Sequence, residues 1–235
     1  MRILILSDLH GNIWALRAIL EAAGRVDAVL FAGDAVNYGP SPRGVLSWLR
    51  RAGAVAVRGN HDHAASFGAD PKASPRKARL AQALLDWTRE ALREEGLAYL
   101  RSLPLYAVWA GDDGVRFALI HGSLQDPLYD YRLDPEVGEE ALLEVAETLR
   151  AEVVIFGHTH LPFVRAIGGK LFVNPGSAGQ PLDGDPRASF ALYEGGRVTL
   201  HRVAYPMEEL FRALEGLPLP PEEMGELLEL YRKAR

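Results

Sequence analysis

Short apolar runs, each closed by a polar residue and a glycine, set the framework of this chain. Arg2–Ser7 is apolar at successive positions and stops at Asp8, which predicts a short strand covered on both faces. Asn12 suits a helix cap, and Ile13, Leu16, Ala18, Ile19 and Leu20 recur at helical spacing as far as Ala23. Asp27–Ala32 predicts a second buried strand ending at Gly33-Asp34. Pro42 suits the first turn of a helix reaching Ala52, and Ala54–Val57 predicts a third strand ending at Gly59-Asn60-His61. Strand, helix, strand, helix, strand in this order implies parallel pairing with right-handed crossovers.

The pattern then changes. His61–Pro75 reads as an irregular stretch, followed by a helix from about Arg76 to Glu95 and a shorter one near Leu97–Leu103. Three hairpins are expected: Leu105–Ala110 with Val115–Ile120 about Gly111-Asp112-Asp113-Gly114, Phe163–Ile167 with Lys170–Val173 about Gly168-Gly169, and Ser189–Tyr193 with Arg197–Val203 about Gly195-Gly196. Between the first two lie a helix at Val137–Leu149 and a strand at Glu152–Phe156. Leu217–Pro221 breaks the chain before a last helix at Glu222–Arg235. No internal repeat or linker is apparent, so one domain over 1–235 is expected, with a helical extension from about residue 206.

Composition narrows the chemistry. Hydrophobic residues make up 48% of 235, enough for a sizeable core. A net charge of −5 gives the surface no general attraction for nucleic-acid phosphates, so long nucleic acid is not an expected partner. There is no cysteine, which leaves oxygen and nitrogen as the only metal donors. The first apolar run is too short for a signal peptide, and no run reaches the length of a membrane span; a cytoplasmic protein is expected.

Five of the seven histidines fall in the pieces that close strands: Asp8-Leu9-His10, Gly33-Asp34, Gly59-Asn60-His61, His121-Gly122 and Gly157-His158-Thr159-His160. In an open α/β sheet, ligands bind beyond the carboxyl ends of the strands. Five strands would therefore deliver polar side chains to one rim. Seven ligand-type groups exceed the needs of one four- to six-coordinate ion, whereas two ions sharing a carboxylate would use them all. Imidazole with carboxylate suits Mn, Fe, Zn, Co or Ni better than Ca or Mg. A lone histidine at a strand end is more often structural; the joint pattern reverses that, because a rim crowded with unpaired polar groups is costly without a ligand.

In their order and context, these five pieces resemble the calcineurin-like metallophosphoesterase family, and Asn174-Pro175-Gly176-Ser177 is similar to a further family turn. The resemblance extends to about residue 205. It implies a four-layer α-β-β-α sandwich of two mixed sheets flanked by helices. It implies two divalent transition metal ions, manganese first, with Fe, Zn, Ni or Co as alternatives. Asp8, His10 and His160 would hold one ion, Asn60, His121 and His158 the other, and Asp34 would bridge them. A metal-bridging hydroxide would attack phosphorus, and His61 would face the phosphate as the catalytic side chain.

Departures from relatives refine the expectation. Asn37 stands where the phosphoprotein phosphatase branch resembles Asp, Tyr38 where it has a phosphate-binding Arg, and Asp62 where it has Glu. These count against protein phosphatase and symmetrical dinucleoside tetraphosphatase activity and suit the small prokaryotic phosphoesterases. The expected activity is hydrolysis of a small-molecule or nucleotide phosphodiester, against a phosphomonoesterase or nucleotide pyrophosphatase. A non-catalytic scaffold is disfavoured by the complete ligand set. His201 is expected to be structural, Trp14, Trp48, Trp87 and Trp109 to pack in the core, and the basic run Lys72, Arg76, Lys77 and Arg79 to form a solvated helix face. His63 is left unassigned. Asp62 is expected either to bond a ligand histidine or to cap the segment after it. Loops 61–75 and 123–135 are expected to choose the substrate.

Overall fold

The computed structural model describes residues 1–73 and 78–235. Along them run β1 (Arg2–Leu6), α1 (Ile13–Ala23), β2 (Ala28–Phe31), α2 (Pro42–Arg51), β3 (Val55–Ala56), α3 (Asn60–Phe67), α4 (Ala78–Ser102), β4 (Tyr106–Ala110), β5 (Arg116–Ile120), α5 (Glu139–Thr148), β6 (Val153–Ile155), β7 (Phe163–Ile167), β8 (Lys170–Asn174), β9 (Ala188–Glu194), β10 (Arg197–Val203), α6 (Met207–Leu214) and α7 (Pro221–Lys233). None of these helices is long and apolar enough to cross a membrane.

Two mixed five-stranded sheets form the centre, in the orders β10-β9-β1-β2-β3 and β4-β5-β6-β8-β7. β1, β2 and β3 pair in parallel, with Ile3 beside Ala28 and Leu30 beside Val55. The β9–β10 hairpin joins antiparallel to β1. In the second sheet β5, β6 and β8 are parallel, and β4 and β7 close the edges antiparallel.

The apolar runs explain the layers. Alternate residues of a strand face opposite ways, so Ile3 and Ile5 enter the seam between the sheets with Leu30, Ala32, Phe117, Leu119, Ile155 and Val173. Leu4 and Leu6 turn outward to a second cluster shared with Leu16, Ile19, Val45, Leu49, Leu84 and Leu227 of the helices. Leu142 and Val145 of α5 cover the far sheet at Ala118, Val154 and Phe172. Each fully buried aliphatic side chain adds roughly 1.5–3 kcal/mol. The result is the four-layer sandwich expected of a metallophosphoesterase.

Some expectations are corrected. The stretch expected to be irregular from His61 begins with a helix, α3, which runs from Asn60 to Phe67 and stops at Gly68 in the left-handed conformation (φ 70°). The two helices expected at Arg76–Glu95 and Leu97–Leu103 are present within Ala78–Ser102 as two segments that meet at a kink at Arg93 (φ 55°, ψ −177°), a few residues before the expected break. The expected start at Arg76 lies outside the described residues, as do Arg76 and Lys77 of the basic run. The described members of that run diverge. Lys72 lies over the Tyr129 ring at 4.1 Å, and Arg79 pairs with Glu223 of α7 at 3.1 Å. The four tryptophans pack partly buried against the core clusters, and His201 stacks on Phe190.

Candidate metal centre

The rim beyond the carboxyl ends of β1, β2, β3, β5 and β6 gathers Asp8, His10, Asp34, Asn60, His61, His121, His158 and His160, and all eight are buried. Glycine makes the approach tight. A Cβ on Gly59 would lie 2.1 Å from Asp34 Oδ1, and one on Gly157 would lie 1.9 Å from Ser7 Oγ. Only a residue without a side chain lets these loops meet.

Three of the rings, His10, His121 and His160, are held by their outer nitrogen. His10 Nδ1–H donates to the Val36 carbonyl (3.1 Å), His121 Nδ1–H to Ala32 (2.8 Å) and His160 Nδ1–H to Gln180 (2.6 Å). Backbone anchoring of this kind fixes the tautomer and turns Nε2 inward, as ligand histidines require. His10 Nε2 and His160 Nε2 then face one another at 3.2 Å. Asn60 Nδ2 donates to the Pro71 carbonyl (2.7 Å), so its oxygen is the inward atom, 3.0 Å from His121 Nε2.

The carboxylates complete the cluster. Asp34 Oδ1 accepts the His61 backbone N–H (2.9 Å), while Oδ2 lies 3.3 Å from His121 Nε2 and 3.8 Å from His10 Nε2. Asp8 Oδ2 accepts the His158 N–H (3.3 Å), and Oδ1 lies 3.4 Å from His160 Nε2. Two trios bring their donor atoms within 4.8 Å of one another: Asp8, His10 and His160, and Asp8, Asp34 and His121. His158 belongs to neither trio and stands beside them, its ring centroid 4.9 Å from that of His121.

The electrostatics follow from burial and from this crowding. Burial drives His10 down to about 3, against the pull of Asp34, and burial with the His121 charge does the same to His158. Burial opposes charge on His121 too, but Asp34 and Asp8 overcome it and raise that ring to about 9. Asp34 is held well below the usual carboxylate range by His121 and His61 in spite of its burial. Asp8 Oδ1 and His158 Nε2 are shut from solvent with no hydrogen-bond partner. Lone pairs converging without protons between them are what a divalent cation satisfies, and the all-oxygen-and-nitrogen donor set suits a transition metal. The residues fit a metal site.

The surrounding loops explain the precision. Asp62 bonds no ligand histidine. Its carboxylate accepts the N–H groups of Asp34 (2.9 Å), Ala35 (2.9 Å) and Val36 (3.2 Å), and that of Gly59 (3.2 Å) at the start of α3. It therefore caps its own helix and staples the Asp34 loop. Burial and the Asp34 charge raise it to about 7, and the N–H donors pull it back. Asn174 holds the loop before His158 through the Gly157 carbonyl (2.9 Å), and Ser177 Oγ holds the Asp8 carbonyl (2.7 Å). The 174–177 turn is thus a clamp on two ligand loops.

Asn37 reaches His61. Its Oδ1 accepts the Tyr38 N–H (2.9 Å) and its Nδ2 donates to the Ala81 carbonyl (3.1 Å), which fixes the amide orientation. The second Nδ2 proton points at His61 Nδ1 (2.9 Å), so that nitrogen accepts and Nε2 carries the ring proton. Burial lowers His61 further from charge. A cavity of about 150 Å³ opens over the cluster, bordered by His61, Tyr38, Tyr131, Thr159, Gln180 and Leu182 among others. Gln180 and Leu182 carry no signal in the sequence beyond their place just after the 174–177 turn. Tyr131 stacks on His158 with ring centroids 3.8 Å apart and remains half-exposed at the mouth.

Comparison with known proteins gives the family. The family model of the calcineurin-like phosphoesterase superfamily domain matches residues 1–196. The chain is 28% identical to an uncharacterised protein of Methanocaldococcus jannaschii over 98% of both chains. It is 26% identical to phosphodiesterase YfcE of Escherichia coli, covering 83% of this chain and 88% of that one. The crystal structure of a metallophosphoesterase from Sphaerobacter thermophilus matches over the whole of both chains with a TM-score of 0.81 at 32% identity.

Proposed function

The chain belongs to the calcineurin-like phosphoesterase superfamily and is a hydrolase of phosphoric esters, and on that premise we propose that it uses two metal ions to cleave a small phosphodiester. Asp8, His10 and His160 would hold one ion and Asn60, His121 and His158 the other. Asp34 Oδ2 supports the sharing, since it stands between His10 Nε2 at 3.8 Å and His121 Nε2 at 3.3 Å while its other oxygen is occupied by a backbone N–H. Asp8 is the carboxylate common to both trios and, like Asp34, gives one oxygen to a backbone N–H. Its other oxygen faces His160 Nε2 at 3.4 Å, whereas that of Asp34 has a ring nitrogen from each set beside it, which favours Asp34 as the bridge. When bound, such ions acidify a water and neutralise phosphoryl oxygens.

The chain's own groups position the ester. His61, with Nε2 as its donor, offers a hydrogen bond to a phosphoryl or leaving oxygen while neutral. Asn37 keeps it in that tautomer, where a carboxylate partner would favour the imidazolium. Tyr131 narrows the mouth. The observation that carries the diester preference is the lining of the cavity: among the described residues bordering it there is no lysine and no arginine. A diester brings a single negative charge. A monoester dianion, or the additional phosphates of a pyrophosphate, bring charge that such a side chain would meet.

A manganese-loaded sample assayed on bis-p-nitrophenyl phosphate and p-nitrophenyl phosphate tests the reading. Diester turnover should exceed monoester turnover. Equal or faster monoester cleavage would remove the diester preference, and full metal loading without hydrolysis of either would favour a scaffold.

A further inference from the structure

Three polar atoms at the centre are shut from solvent without a hydrogen-bond partner: Asp8 Oδ1, His158 Nε2 and Gln180 Nε2. The first two carry lone pairs of the kind a cation satisfies. The third differs in kind. An amide nitrogen donates and has no lone pair to give, so a metal cannot satisfy it; its missing partner is an acceptor. Gln180 is 2% exposed, borders the cavity over the metal ligands, and has no compensating bond from the protein at this atom. Leaving a buried donor unmade is costly, which argues that the acceptor arrives with a ligand.

We propose that Gln180 is a substrate-binding residue whose side-chain amide donates to a non-bridging phosphoryl oxygen. The inference rests on the phosphoesterase reading and adds a residue to it. With His61 it would supply neutral hydrogen bonds in a cavity bordered by no described lysine or arginine, which suits a singly charged phosphoryl group. The backbone of Gln180 already has separate work. Its N–H donates to Ser177 Oγ (2.7 Å), and its carbonyl accepts from His160 Nδ1 (2.6 Å). Side-chain substitution leaves both bonds in place, so the amide can be tested apart from the scaffold it stands on.

The test uses the manganese-loaded full chain with Gln180→Met and Gln180→Glu, both close in shape. Metal content by elemental analysis and melting temperature should match the parent in at least one variant. In that variant kcat/KM for bis-p-nitrophenyl phosphate should fall about 10- to 100-fold, the loss expected of one hydrogen bond to a charged acceptor. Inorganic phosphate and dimethyl phosphate, titrated by calorimetry without turnover, should bind the variant more weakly by a similar factor. Parent-like kinetics and parent-like phosphate binding in a metal-replete variant would overturn the proposal. So would loss of metal from both variants, which would make the side chain a support for His160. If the parent binds these anions and hydrolyses no ester, the phosphoesterase reading fails while the Gln180 contact is still decided by calorimetry.

Discussion

Asp8, His10, Asp34, His158 and His160 all hold left-handed backbone, with φ of 53°, 43°, 59°, 67° and 61°. Side-chain-bearing residues enter this region at a cost of about 1–2 kcal/mol each. Five such residues at one rim mean that the surrounding fold stores strain to aim these donors inward. Metal binding should therefore be sensitive to single changes in the donors. Asp34→Asn removes the charge shared between the two sides, and metal content by elemental analysis should fall for both ions; undiminished two-ion stoichiometry would contradict the bridging role. His61→Ala removes a donor that binds no metal in this scheme. It should retain both ions and lose turnover about 100-fold or more. A His61→Ala protein that loses metal would place this ring among the ligands instead.

At the scale of elements, the site depends on loops that follow strands and on the groups that tie those loops together. Asp62 on α3 is the clearest case, with its carboxylate on four N–H groups from two loops. Asp62→Ala would strand those buried donors, each at about 1–3 kcal/mol, so metal-free stability should drop by roughly 3 kcal/mol or more. Urea unfolding measures it, and a midpoint equal to the parent's would exclude the staple. The same element shows where sequence reading stops. Asn60-His61-Asp62-His63-Ala64-Ala65-Ser66-Phe67 has no long apolar stripe, because its first turn serves the site and only the small Ala64 and Ala65 enter the core, and so it reads as loop. It is helical because Gly59 starts it and Asp62 reaches back to cap it. The strands, by contrast, were legible to within a few residues, since each is a dense apolar run that only a two-sided core accommodates.

For the molecule as a whole, the buried rings couple folding to protons. His10 and His158, held at about 3, stay neutral in the fold while unfolded imidazoles take up protons from about 6.5 downward. Stability of the metal-free protein should therefore fall as pH drops below about 6.5; Asp62, raised to about 7, offsets part of this loss. His121 works in the opposite sense. Raised to about 9, it contributes fully below about 6.5 and loses its contribution as pH rises through 9. The metal-free melting temperature should peak near pH 6.5, and metal loading should remove the alkaline decline by requiring a neutral His121. A metal-free melting temperature that climbs steadily from pH 6.5 to 9 would refute this. The C-terminal helix belongs to the same structural whole. α7 meets α4 through Glu223 and Arg79 at 3.1 Å, and the Gly184 N–H donates to the Ala234 carbonyl at 2.9 Å, a few residues beyond Gln180.

The sequence alone determined the strands, the parallel order of β1, β2 and β3, and the polar residues that close the strands, because local apolar runs and the residues that end them are adjacent in the chain. Only the tertiary structure decided which nitrogen of each histidine turns inward, which oxygen of Asp34 stands between the two sides, what Asp62 and Asn37 hold, and that Gln180 borders the cavity. Those facts arise from contacts between residues as far apart as Asp8 and Ser177. Distances of that kind are set by how the two sheets stack, and no spacing within one strand or helix encodes them.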